Sequence, residues 1–79
     1  MDTPLIGSIM LFAGGYAPLG WALCNGQTLP IEQNTPLFSI IGTMFGGDGQ
    51  TNFALPDVAP PGEGLQYIIA IEGVFPRRD

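Results

Sequence analysis

The sequence contains no histidine, one cysteine and only two cationic residues in 79. Each shortage removes a class of chemistry. A zinc cage wants about four nitrogen or sulfur ligands, and one cysteine without histidine does not supply them. A catalytic thiol needs a neighbouring histidine or cation to ionise it. Here the only cations, Arg77 and Arg78, stand at the far end of the chain from Cys24. Cys24 is therefore read as a small core hydrophobe. A lone cysteine closes no intrachain disulfide and leaves the redox compartment open. Seven acidic residues against two arginines give a net charge of -5. No basic footprint exists for phosphate backbones or anionic lipid, so nucleic acid and membrane insertion are set aside as partners. No apolar run approaches the roughly 18 residues of a membrane-spanning helix. The opening "MDTPLIGS" is acidic and has no basic n-region, so no signal peptide is visible. The expectation is cytoplasmic synthesis followed by assembly or non-classical export.

Charge is scarce in general. Charged residues make up 11% of the chain and hydrophobic residues 46%, whereas an ordinary soluble domain carries roughly 25% charged residues. The length fits one domain spanning residues 1–79. A domain this small is marginal by itself and usually gains stability from disulfides, metal or association. Association is the route that the composition leaves.

Several segments have legible structure. Ile6 to Ala13 reads as a strand with Ser8, Met10 and Phe12 on one face and Ile9, Leu11 and Ala13 on the other. Both faces are largely apolar, the pattern of a strand covered on both sides. "GGYAPLGW" reads as a loop. "WALC", "NG" and "QTLP" read as a tight hairpin over Trp21 to Leu29, with Asn25 and Gly26 at positive φ. Thr35 is placed as an N-cap and Pro36 at the first helical position. Leu37, Phe38, Ile40, Ile41, Met44 and Phe45 follow helical spacing, and Gly46 and Gly47 supply the stop. The opposite face holds Ser39, Gly42 and Thr43. Gly42 there reads either as tolerated poor propensity, costing about 1 kcal/mol, or as room for another backbone. "GGDGQTN" is a loop, "FALPD" a short extended piece, and "VAPPGEG" a stiff connector over 57–65. "LQYIIAIEGVFP" reads as the last strand, with Tyr67, Ile69 and Ile71 on one face and Ile68 and Ala70 on the other. The class is α+β: a small single domain of short strands, one β-hairpin and one central amphipathic helix. One helix covers one side of such strands, so the other side is left to loops or to another copy of the chain.

Candidate sites are few. Trp21 is read as a core anchor, with sugar stacking by Trp21 or Tyr16 as the alternative. Asp48 and Asp57 flank a glycine-rich loop, but no supporting groups accompany them for acid–base work. Asp48, Asn52 and Asp57 could offer oxygens to calcium, yet the loop lacks the EF-hand pattern and reads as turn chemistry. "GGDG" lacks the Lys-Ser/Thr of a phosphate loop. Arg77 and Arg78 read as solvated charges or as a salt bridge to a neighbouring chain. No cofactor, metal ligand set or catalytic group emerges, and the chain is expected not to be an enzyme.

The stretch "IGSIMLFAGGYAPLGWALCNGQTLPIEQNTPLFSIIGTMFGGDGQTNFALPD" resembles the N-terminal part of the phage tail collar domain. The pattern G-x-I-x-L-F-A-G…A-P-x-G-W-x-L-C-x-G-Q, the "LFSIIGTMFGGDG" helix and exit, and "FALPD" follow in the family's order. "YIIAIEGVFPRRD" resembles the closing segment of many members. The resemblance covers Ile6 to Asp57 and Leu65 to Arg78. It implies a fibre or tail component that associates, typically as a trimer. Members usually carry a variable receptor-binding insert, often with a His-x-His metal element, after the "LPD" segment. Here "VAPPGEG" bridges that position directly.

The expected function is that of a non-enzymatic structural subunit of a phage tail or extracellular fibre. Its partners would be itself, as a trimer, ring or filament, and other tail or fibre proteins. The expected contact residues are Ile6, Met10, Phe12, Ser39, Gly42, Thr43, Tyr67, Ile69, Ile71 and Phe75. The alternative is an adhesion module that takes cell-surface glycan or a receptor on exposed Tyr16 and Trp21.

Overall fold

The computed structural model describes residues 3–77. Five short strands, a 3-10 turn and one helix make two small antiparallel sheets. In chain order they are β1 (Ile9–Ala13), β2 (Trp21–Leu23), β3 (Thr28–Pro30), the 3-10 turn (Ile31–Gln33), α1 (Thr35–Ile41), β4 (Asn52–Ala54) and β5 (Leu65–Ala70). The α+β class is therefore as expected.

The larger sheet has the order β1-β5-β2. Ile9 lies opposite Ile69 and Ala13 opposite Leu65 on one side of β5. Ala22 lies opposite Ile69 on the other. Ile68, Ile69 and Ala70 are all buried, so the apolar character of β5 on both faces is satisfied within the chain. β5 stops at Ala70, short of the strand end expected near Pro76, and Ile71 to Gly73 bend. Val74 then bridges Leu5 in parallel.

The hairpin expected over Trp21 to Leu29 does not form. Its two arms go to different sheets: β2 pairs with β5, and β3 pairs with β4. Between them the backbone is used by the "ALPDV" segment. Leu55 N–H donates to the Gln27 carbonyl at 2.9 Å, Gly26 N–H to that of Pro56 at 3.2 Å, and Val58 N–H to that of Cys24 at 3.0 Å. Gly26 has φ 81°, but Asn25 is not at positive φ as a type I′ turn would demand. Its Oδ1 accepts the Gln27 N–H at 3.1 Å instead. A long-range partner thus outcompetes the local turn.

The helix starts where the sequence suggests and ends earlier. Asn34, not Thr35, is the N-cap residue, and its carbonyl accepts the Phe38 N–H at 3.0 Å. Pro36 in the first turn loses nothing, because N–H groups there have no partner within the helix. The helix closes at Gly42, with φ 53° and ψ -138°, rather than at Gly46. Met44 and Phe45 therefore leave the apolar stripe and are exposed. A Cβ at Gly42 would meet open space, so this glycine serves a backbone conformation and not the close approach of another element.

The core consists of Ile6, Ala22, Cys24, Leu37, Phe53, Leu55 and Ile69. Leu37 and Phe53 are fully buried, and the Phe38 and Phe53 rings pack at 5.3 Å and a tilted 54°. Apolar surface removed from water stabilises this cluster by about 25 cal/mol per Å². Ile6 and Ile69, expected on a contact surface, are core residues here. The strand expected from Ile6 begins at Ile9.

One tight passage limits substitution. Gly47 has φ 94°, and a Cβ on it would run into the Phe53 backbone. Gly47→Ala is expected to cost about 1–3 kcal/mol from backbone strain alone, read in urea unfolding. Gly15→Ala, where nothing lies near and φ is ordinary, is expected to be neutral or slightly stabilising.

Candidate functional site

The group with the largest electrostatic shift is a turn. Asp48 Oδ1 accepts the N–H groups of Gln50 and Thr51 at 2.8 Å and of Asn52 at 3.0 Å, and Oδ2 accepts the Thr51 hydroxyl at 2.8 Å. Asn52 Oδ1 returns a bond from the Asp48 N–H at 2.9 Å. Donation from Asn52, then from Gln50 and Thr51, holds the Asp48 carboxyl well below the usual carboxylate range. Those lone pairs are committed to backbone, so "GGDGQTN" is turn chemistry. Asp57 is drawn elsewhere, bridging Asn25. Among the described residues no group of three metal-ligating side chains converges.

Cys24 is buried in the core, and burial pushes its thiol up. It stays protonated and shielded, which suits packing and not nucleophilic attack. Trp21 is only half-buried and stands outside the core cluster, contrary to the reading of it as an anchor. It lines a shallow cleft of about 280 Å³ with Thr3, Pro4, Leu19, Gly20, Glu72 and Gly73. Tyr16 is exposed on the preceding loop and does not line that cleft. The two aromatics expected to act together therefore do not share one concavity.

The residues expected at a contact surface divide into three groups. Ile6 and Ile69 are in the core, and Tyr67 and Ile71 are half-buried against it. Ser39 and Phe75 share a surface hollow with Ile40, Pro76 and Arg77. Arg78 lies outside the described residues. Gly42 and Thr43 follow the end of α1, with Thr43 exposed. Met10 and Phe12 project from one face of β1, Met10 being 47% exposed. Ile9 and Leu11 are not among the expected contact residues. They are 46% and 44% exposed, because β1 is an outer strand of the sheet, and edge position is not visible in a strand's own sequence. Leu5 and Val74, which bridge each other, are exposed as well.

The Asp48 turn makes a pH prediction. A depressed folded-state pKa adds stability above the unfolded carboxyl value of about 3.9, and that stability is lost as pH falls below it. Asp48→Asn, which keeps an acceptor but no charge, is expected to lower the melting temperature at neutral pH. Between about pH 5 and pH 2 the variant's melting temperature should fall less than that of the parent chain. Parallel curves over that range would refute the role given to Asp48.

No helix among the described residues is long and apolar enough to cross a membrane. Comparison with curated proteins gives no match. Comparison with family profiles matches residues 7–60 to the phage tail collar domain. The match takes in β1 through β4, the helix, the Asp48 turn and the start of the proline-rich connector, well over half of the chain. The chain belongs to the phage tail collar domain family and is a structural component of a phage tail fibre.

Proposed function

We propose that this chain acts by self-association, as a non-enzymatic subunit that builds a trimer, ring or filament within the tail fibre. One observation carries the reading. On the outer strand β1, Ile9 and Leu11 on one face and Met10 on the other are each about half exposed. Apolar patches of this kind on small proteins mark interaction sites. The scarcity of charge supports the same reading, since 11% charged residues is little for a surface meant to face only water. A closed heterologous contact gives a ring or trimer, and one that does not close gives a filament.

Light scattering across dilution tests this. The expected result is a mass above 8.4 kDa that falls as the protein is diluted. Each copy carries a net charge of -5, and salt screens such repulsion over about 10 Å at 0.1 M. Association is therefore expected to strengthen with added salt. A chain that stays monomeric at every concentration and ionic strength would overturn the reading.

A second reading, adhesion to cell-surface glycan, has one observation in its favour. Trp21, only partly buried, lines a cleft that Glu72 also lines, and aromatic faces with nearby hydrogen-bonding groups suit sugars. Titration with cell-surface polysaccharide is then expected to shift Trp21 fluorescence. An unchanged spectrum at saturating polysaccharide would remove this reading and leave the structural one.

A further inference from the structure

We propose that copies of the chain associate head to tail, the β1 edge of one lying parallel to the β2 edge of the next, with Leu11 beside the second copy's Ala22. This rests on the self-association reading above and names the two surfaces that meet.

Backbone hydrogen bonds show which edges are open. At the two ends of β1 the Ala70 N–H donates to the Ser8 carbonyl and the Gly14 N–H to that of Gly64. Bonded and non-bonded pairs alternate along an antiparallel ladder. Met10 and Phe12, opposite Ile68 and Gln66, therefore bond to β5. The N–H and C=O groups of Ile9, Leu11 and Ala13 point outward, and none has a partner among the described residues. Such a row is a template for another strand. β1 carries none of the usual guards of an edge, being uncharged, proline-free and five residues long.

β2 is open in part. The Cys24 N–H donates to the Tyr67 carbonyl and the Ile71 N–H to that of Gly20. By the same alternation Ala22 bonds to β5, and Trp21 and Leu23 face outward. The Trp21 N–H is taken by the Pro18 carbonyl at 3.0 Å, and the Leu23 carbonyl by the Gln27 Nε2 at 3.0 Å. The Trp21 carbonyl and the Leu23 N–H remain. A strand lying parallel to β2 uses that pair: one of its residues donates its N–H to the first and accepts from the second. An antiparallel strand would need both groups of a single outward residue. The second sheet offers no such edge. Pro30 has no N–H, and its carbonyl accepts the Asn34 Nδ2 at 3.0 Å. Gly46 and Gly49 bond the far side of β4.

The faces agree with the parallel arrangement. Ile9 and Ala22 both lie opposite Ile69 of β5, so Ile9, Leu11 and Ala22 share the core face of the sheet. Setting Leu11 beside Ala22 continues that face from one copy to the next. Phe12 then lies beside Leu23 on the other face. β1 and β2 each run antiparallel to β5, hence parallel to each other. Each copy gives one edge and receives one in the same orientation, and a pair leaves an edge open at either end. Repetition closes as a trimer or ring, or continues as a filament. Charge permits the approach of a second copy here. No charged residue occurs between Asp2 and Glu32, and that stretch holds both edges of the contact. β3 shares the stretch but is closed by Pro30.

Cysteine cross-linking tests the contact. Neighbouring strands lie about 4.8 Å apart, so Phe12 of one copy and Leu23 of the next come within the roughly 7 Å reach of a disulfide. Within one copy β5 keeps the two positions about 10 Å or more apart. The double variant Phe12→Cys, Leu23→Cys, treated with diamide, is expected to give a ladder of linked species that passes beyond the dimer. The pair Met10→Cys, Leu23→Cys, about 8 Å apart by the same spacings, is expected to link at least tenfold more slowly. Neither single variant is expected to link, nor the parent chain, whose Cys24 is buried. Leu11→Pro removes one outward N–H and no bond to β5, so it is expected to weaken association at least tenfold with unchanged circular dichroism. Equal rates for the two double variants would overturn the register. Linked dimers from Phe12→Cys alone would set β1 against β1 and overturn the head-to-tail contact. No cross-linking in a double variant that light scattering shows to be oligomeric would overturn the contact while leaving self-association standing. A monomer in scattering would remove both.

Discussion

The second half of strand β5, Ile68 to Ala70, is paired along both edges and buried, and the rest of the molecule depends on that enclosure. Its Ile68, Ile69 and Ala70 are buried in a chain of 79 residues that has few places to hide anything. β1 and β2 lie on either side of it. Leu37 of the helix and Phe53 of β4 join Ile69 in the same cluster. The strand that closes this arrangement comes almost at the end of the chain, so the early strands find their partner only after long loops have closed. The entropic cost of those closures grows slowly with length and is offset by the apolar area that β5 buries.

Because β5 occupies the centre, β1 is left at the rim. The sequence gives β1 apolar residues on both faces, as if it too were interior. The described residues place no further layer over them, and Ile9, Met10 and Leu11 remain half exposed. That imbalance between apolar content and available cover is what supports the proposed association. The polar residues of the molecule are committed elsewhere. Asp48 gathers the backbone of its own turn, and Asn25 and Asp57 tie the β2–β3 segment to the "LPD" segment.

The legible parts of the sequence were those governed by near neighbours. Pro36 marked the first turn of the helix. The Gly-Gly-Asp-Gly run marked a turn whose carboxylate bonds residues two to four positions on. Cys24, without a histidine or cation beside it, read as packing and is buried in the core. Three readings failed for one reason. Asn25-Gly26 has the composition of a hairpin turn, but residues 54–58 take its backbone bonds. Met44 and Phe45 keep helical spacing, but Gly42 adopts a conformation closed to other residues and ends the helix first. Trp21 has the bulk of an anchor, but β2 lies at an edge and leaves it beside a surface cleft.

By itself the sequence determined the α+β class, the family, the start of the helix, the Asp48 turn and the excess of apolar over charged residues. These follow from side-chain chemistry and spacing along a few residues. Only the tertiary structure decided which strand became the enclosed centre and which the open edge. Both strands are written in the same apolar alphabet, and nothing local separates them. The choice is made by pairing across most of the chain's length, where β5 has two partners and β1 has one.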